Sequence, residues 1–394
     1  MSERSLYNLK QMKNNNDNYA KEIIIKDKLR KILKEKNINE IVSKFFIGEI
    51  SREGLIYYFD KKFKKDYNDN KELINYLLSL YEKEENKIID KGLVTIIITT
   101  YNRKQYLVEA INSILNQTYK NIEIIVMDDC SNDGTQDLFN TIYKNDNIKY
   151  YRNKENKGCG FNRLFAFNNF CKGKFVIFMD DDDFYIDNDY IKKAVIIQDS
   201  IDGLSFVAAD TFIEYSDHLV LNKLNNYGSV SNKEYFINFM KNDYKKPSST
   251  FTALFKKEVL EKVKLNDMKM VNDTSIYLRA LLYGDPYFIN DIVGVYRIHG
   301  QNLTFSCSLK FIIDNLEEKY NVGILAKNTF NLDNIKFEEW LFEQFYITII
   351  YYLDNSSSKL KDKINLLMWV KGKSILSYKR FRNIIIKSDL KQFI

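Results

Sequence analysis

Four consecutive carboxylates, Asp180-Asp-Asp-Asp183, follow the apolar run Phe175-Val-Ile-Phe-Met179. Like charges in a row repel one another, a cost that a bound cation relieves. Hard oxygen donors of this kind suit Mg2+ or Mn2+, which take one or two carboxylates and keep other positions for water and phosphate oxygens. Taken alone, the run could also be a solvated acidic turn that caps a helix. A second acidic pair, Asp128-Asp129, ends another apolar run, and an aspartate there can accept a hydrogen bond from a base or a ribose hydroxyl. The residues after it, Ser131-Asn-Asp-Gly134, are turn formers that also supply caps for a helix beginning near Thr135. Thr99-Thr-Tyr-Asn-Arg103 is a third polar signature after an apolar run.

These signatures need strands to bring them together. Leu93-Val-Thr-Ile-Ile-Ile98 is mostly β-branched and continuous, the mark of a strand buried on both faces. The pattern continues as a helix over about 104–116, a strand over Ile122–Met127 and a helix over 135–143. A short strand at 148–151, a helix over about 160–171 and a strand at 174–179 follow. Such alternation predicts right-handed βαβ crossovers and a parallel sheet covered by helices. Ligands in these sheets bind at the carboxyl ends of the strands, where all three signatures lie. From about 202 to 297 the pattern is mixed, with a strand-like stretch at 206–209 and helices near 232–241 and 274–283.

With 394 residues, 45% of them hydrophobic, the chain can build a sizeable core. A formal charge of +6 permits an anionic substrate or membrane surface. The strand ends are acidic, which argues against nucleic acid. Cys130, Cys159, Cys171 and Cys307 form no CxxC pair and only His218 and His299 accompany them, so a zinc site of the finger type is not expected, and a reducing compartment is. The start has no apolar leader and no stretch approaches the roughly 18 uncharged residues of a membrane span, so a cytoplasmic protein is expected. A nicotinamide-dependent dehydrogenase would need a glycine-rich turn after the first strand, and Thr99–Arg103 contains no glycine.

The ordered set of motifs resembles the inverting glycosyltransferases of family 2. It comprises Thr99–Arg103, Ser113-Ile-Leu-Asn-Gln-Thr118, Met127–Thr135, Asn156-Lys-Gly158 with Arg163, and Phe178–Asp183. It extends more weakly to Asn272-Asp273 and Tyr296-Arg-Ile-His299, and covers about 93–305. The resemblance implies an α/β fold of the GT-A type, a Rossmann-like and mostly parallel central sheet flanked by helices. This catalytic domain would occupy 91–305, with a helical N-terminal extension over 1–90 and a helical C-terminal region over 306–394.

The resemblance also implies roles. Thr99 and Tyr101 match positions lining the base pocket, and Asp129 the acid that reads uracil. Arg103 and Arg163 would lie near the nucleotide and its phosphates. Asp180 matches the first acid of the DxD motif, near the ribose, and Asp182 the second, which holds Mn2+ or Mg2+. Asp181 falls beside them in the nucleotide-sugar site, and the doubled acids leave Asp181 and Asp183 open to a one-residue shift. His299 matches a position that reaches the metal or diphosphate in some relatives, and Arg297 admits either a phosphate contact or a salt bridge. Asp273 matches the base that activates the acceptor hydroxyl, although this chain has Asn272 where the family usually has Glu. A UDP-sugar donor and a saccharide, lipid-linked or peptide acceptor are implied, in bacterial surface polysaccharide or wall-polymer synthesis. A non-catalytic sugar-binding scaffold is the rival reading. The segment 359–382 mixes apolar and basic residues and fits either packing in a core or homo-oligomer, or a peripheral contact at the inner face of a membrane.

Overall fold

The computed structural model describes residues 91–241, 243–299, 308–355 and 360–391. The expected extension over 1–90, the end of the family-like stretch at 300–305 and Cys307 lie outside the described residues. Residues 92–394 form one compact unit.

The chain enters the sheet through β1 (Val94–Thr100) and returns by α1 (Lys104–Leu115) to β2 (Ile122–Asp128). It continues through α2 (Thr135–Thr141), β3 (Ile148–Arg152), α3 (Cys159–Phe170) and β4 (Phe175–Asp180). All residues of β1 and β2 are buried, as the uninterrupted apolar runs require. Next come β5 (Phe184–Tyr185), α4 (Tyr190–Ser200), β6 (Leu204–Glu214), β7 (Leu219–Asn222), β8 (Gly228–Ser229) and α5 (Asn232–Ile237). β9 (Ala253–Lys256), α6 (Lys257–Val263), α7 (Asp273–Ala280) and β10 (Asp285–Arg297) complete the sheet region.

The sheet order is β3-β2-β1-β4-β9-β6-β10-β5, with β7 on β6 and β8 on β10. β3, β2, β1 and β4 run parallel, β6 and β10 run parallel, and β9 is antiparallel between β4 and β6. The mixed stretch of sequence thus contains the two longest strands. β10 was hidden from pattern reading because it bends through register shifts between Ile289 and Ile292 and between Ile292 and Gly294, so its alternation slips. No added side chain fits at Gly294: a Cβ there would lie 2.4 Å from Phe251 Cε2 and 2.6 Å from the Phe184 carbonyl. β10 therefore passes directly behind the residues that follow the acidic run.

Successive residues of β1 feed two cores. Ile96 and Ile98 join Leu107, Ala110 and Ile111 of α1, while Ile97 joins Phe167 of α3 on the opposite face. The second core is extended by α8 (Leu309–Thr329), α9 (Asn334–Asn355), α10 (Leu360–Lys373) and α11 (Ile375–Lys391). Trp340 of α9 stacks on Phe236 of α5 with ring centroids 4.7 Å apart, and its indole donates to the Phe236 carbonyl at 2.9 Å. Gly323 of α8 admits that indole, since a Cβ there would lie 2.6 Å from Trp340 Cζ3.

Candidate active site

The parallel register sets Thr99 beside both Met127 and Asp180, so the ends of β1, β2 and β4 lie side by side. Thr99 Oγ1 donates to Asp180 Oδ1 at 3.3 Å. The loops after β1 and β2 are knitted together. The Asn102 amide donates to Ser131 Oγ, the Asn132 amide to Asn102 Oδ1, and the Lys104 amide to Asp133 Oδ2, each at 2.8 Å. Asn102 and Cys130 carry positive φ values of 53° and 72°, conformations that cost energy outside glycine and persist because these bonds hold them. The sequence suggested that Ser131–Asp133 cap the helix at Thr135. Asp133 does accept from Thr135, but its other oxygen caps α1 across the loops, and Ser131 serves the neighbouring loop instead.

Asp128 is fully buried and holds the Ser131 amide and the Tyr150 hydroxyl. Asp129 accepts from Asn153 Nδ2 at 2.9 Å and from the amides of Lys157 and Gly158 at 2.7 and 2.8 Å. Burial pushes its pKa up, but these donors outweigh it and hold the group below its ordinary value. Asp129 thereby stays an anion and pins the turn into α3. Tyr101, in the loop after β1, stands 46% exposed.

In the acidic run the four residues divide. Asp181 is buried, accepting from Thr100 Oγ1 at 2.7 Å and pairing with Arg103 at 3.1 Å. Burial and the Asp182 charge raise its pKa to about 7. Arg103, expected beside the nucleotide, also pairs with Asp182 at 2.8 Å, so its guanidinium neutralises the run in this structure. Asp180, Asp182 and Asp183 each place a carboxylate oxygen within 4.8 Å of the other two. Both oxygens of Asp183 are buried without a well-formed hydrogen bond among the described residues. Burial, then Asp182 and Asp180, push its pKa well above the carboxylate range, opposed only partly by the nearby Ser249 hydroxyl. Three converging carboxylates, one of them unsatisfied, are the donor set a hard divalent cation requires, so these residues fit Mn2+ or Mg2+.

Around this cluster stand basic groups. Arg163, buried in α3, gives NH2 to Asp180 at 2.7 Å and NH1 to Asp273 at 2.9 Å. Asp273 opens α7 just after its cap Asn272, whose side chain accepts from the Ser275 amide. Its side chain is 22% exposed. Burial raises its pKa, but Arg163 and then Lys246 outweigh that and hold it below the ordinary value. His299 Nε2 lies 2.9 Å from Asp182 Oδ2, and its ring stacks on Tyr106 with centroids 5.2 Å apart. His299 thus reaches Asp182, one of the three clustered acids. Arg297 pairs with Glu214 and Glu109 and donates to the Asp182 carbonyl at 3.2 Å, the salt-bridge alternative for this residue.

Three groups escaped the sequence reading. Tyr106 lies on α1 at a position that periodicity cannot distinguish from packing. Lys246 lies in a polar loop, Lys245-Lys-Pro-Ser-Ser-Thr250, which also brings Thr250 Oγ1 to 3.4 Å from Asp273. The loop's run of hydroxyls beside two lysines was the available signal.

The sequence family described as glycosyl transferase family 2 matches residues 95–264. This segment belongs to glycosyl transferase family 2. Around the family 2 segment, similarity extends to a GalNAc(5)-diNAcBac-PP-undecaprenol beta-1,3-glucosyltransferase of Campylobacter jejuni, 30% identical over 216 residues. That match covers 53% of this chain and 66% of the relative, just under two thirds. Glycosyltransferase GlyG of Streptococcus pneumoniae is 26% identical over 288 residues, 68% of this chain and 93% of GlyG. A UDP-Glc:alpha-D-GlcNAc-diphosphoundecaprenol beta-1,3-glucosyltransferase, WfaP of Escherichia coli, is 43% identical over 94 residues, 24% of this chain and 37% of WfaP. Among solved structures, S. aureus TarS 1–349 in complex with UDP-GlcNAc matches with a TM-score of 0.56 at 20% identity. It covers 72% of this chain and 82% of that one, a likeness of fold. The GT-A expectation for the sheet and its flanking helices agrees with this neighbour.

Proposed function

We propose that the chain transfers a sugar, with inversion, from a UDP-sugar to a hydroxyl of a lipid-linked saccharide at the inner face of a bacterial membrane. The observation that carries it is the bridge made by Arg163, one guanidinium shared between Asp180 of the donor edge and Asp273 of α7. It holds an ionised carboxylate at a fixed place beside the cation-fitting triad, as a displacement needing one base and one stabilised leaving group demands.

Thr99, Tyr101 and Asp129 line the nucleoside edge in this reading. Asp180, Asp182 and Asp183 would hold Mn2+ or Mg2+, with His299 bracing Asp182. When bound, the cation supplies positive charge against the departing diphosphate. Asp273 takes the proton from the acceptor hydroxyl as that oxygen attacks the anomeric carbon, and Arg163 keeps Asp273 anionic until it does. The names of the C. jejuni and E. coli relatives, both with undecaprenol-diphosphate acceptors, support the acceptor class. The UDP-GlcNAc complex of TarS supports the donor class.

Nucleotide release from UDP-sugars, with Mn2+ and an undecaprenyl-diphosphate saccharide present, tests this. For Asp273→Asn we expect unchanged UDP binding and transfer reduced at least about a hundredfold, the usual scale of a lost general base. Normal transfer by that variant would remove Asp273 from the mechanism.

A further inference from the structure

We propose that the outer face of the α10–α11 hairpin docks on the surface of an anionic lipid bilayer. Residues 360–382 carry seven basic side chains and one acidic one, Asp362, a net +6 that equals the charge of the whole chain. The remainder of the protein is thus balanced, and its excess charge sits in two helices.

Burial sorts these helices into two faces. Leu366, Val370, Ser374, Ser377 and Phe381 point inward and are buried, with the apolar ones joining the core that includes Trp340 and Phe345. The opposite face leaves Leu360, Ile364 and Met368 exposed at 65%, 50% and 57%, spaced four apart so that they form one stripe along α10. Ile375 and Leu376 at the start of α11 are exposed as well, at 66% and 40%. Lys361, Lys371, Lys379, Arg380 and Arg382 are exposed, Arg380 with its guanidinium over the Phe342 ring, and the one carboxylate among residues 360–384, Asp362, is half-buried.

Water-facing helices usually intersperse charges of both signs and hide their large aliphatic groups. Helices that offer exposed aliphatic side chains among a strong excess of cations complement lipid headgroups of negative charge over an acyl layer, and long basic side chains can reach phosphates while their stems stay apolar. Among the described residues no helix is long and apolar enough to cross a membrane, so the contact is a peripheral one. A second copy of the chain would present the same cations and repel itself, which is why lipid is the occupant the charge favours.

Vesicle sedimentation with the full chain tests the proposal independently of catalysis. We expect binding to phosphatidylglycerol-containing vesicles, little binding to pure phosphatidylcholine, and weakening as salt rises. The double variant Ile364→Glu/Met368→Glu and the charge variant Lys371→Glu/Arg382→Glu should each bind about tenfold more weakly or worse, while metal-dependent UDP binding and melting temperature stay unchanged. Equal binding of wild type and both variants overturns the assignment. So does a native dimer that these substitutions dissociate in light scattering, since the face would then be a protein interface. Transfer to a water-soluble acceptor stays the same in both variants, so a failure of the catalytic reading is recorded separately.

Discussion

Asp183 is the residue at which electrostatics speaks most directly. It is one of three clustered carboxylates, buried and without a well-formed hydrogen bond among the described residues, so the metal-free protein holds it at a cost. Asp183→Asn should therefore raise the metal-free melting temperature, by the equivalent of about 1–2 kcal/mol. It should also abolish the further rise that Mn2+ with UDP gives the native chain, since a ligand stabilises only the state that binds it. Thermal denaturation with and without Mn2+ checks both signs. Much of this was legible in the sequence: four acids after a buried strand already called for a cation. The division of labour among them was not, because it depends on which way a tight turn aims each side chain. Asp181 turns toward Thr100 and Arg103, while its neighbours converge.

Secondary elements carry a second electrostatic cost, away from the chemistry. Lys319 of α8 is buried, with Nζ donating to the Gln344 carbonyl at 3.1 Å and to Thr348 Oγ1 at 2.7 Å. Two acceptors suit a neutral amine, and burial, followed by the charge of Lys246, lowers the pKa to about 7. An unfolded lysine titrates near 10.4. Between about 7 and 10 the unfolded chain therefore binds more protons than the native one, and stability rises with pH across that window. Lys319→Met should remove this rise and stabilise the fold most at and below about pH 7, which melting curves from pH 6.5 to 9.5 would show. Sequence periodicity could find the helices here but not this lysine's burial, which arises only when α9 lies across α8. The same limit applied to β10, whose bulges erase the alternation by which a strand is read. The uninterrupted strands β1, β2 and β4 left no such ambiguity, because burial on both faces demands apolar residues at every step.

At the scale of the whole molecule, the C-terminal helices are continuous with the catalytic core. The indole of Trp340 and the carboxamide of Gln344 donate to the carbonyls of Phe236, in the last turn of α5, and Phe239, just beyond it. The sequence marked a helical region after about residue 306, and its amphipathic, basic end was evident. Packing of that end on the catalytic domain was one of the readings open, and the burial of Leu366, Val370 and Phe381 agrees with it; which residues receive it could not be read, since contacts between residues a hundred positions apart leave no local pattern. Ending the chain at residue 305 should expose Phe236, Phe330-facing surface and the α5 carbonyls together, giving a protein that binds a hydrophobic dye and loses its cooperative melting transition.

The indole of Trp340 sets a boundary for anyone recombining this protein. A catalytic segment grafted onto a foreign tail inherits a slot over Phe236 and a carbonyl awaiting a donor, and Gly323 on the tail side is cut to the same ring. Phe236, Gly323 and Trp340 must therefore travel as one cassette, and a crossover between them breaks the fit.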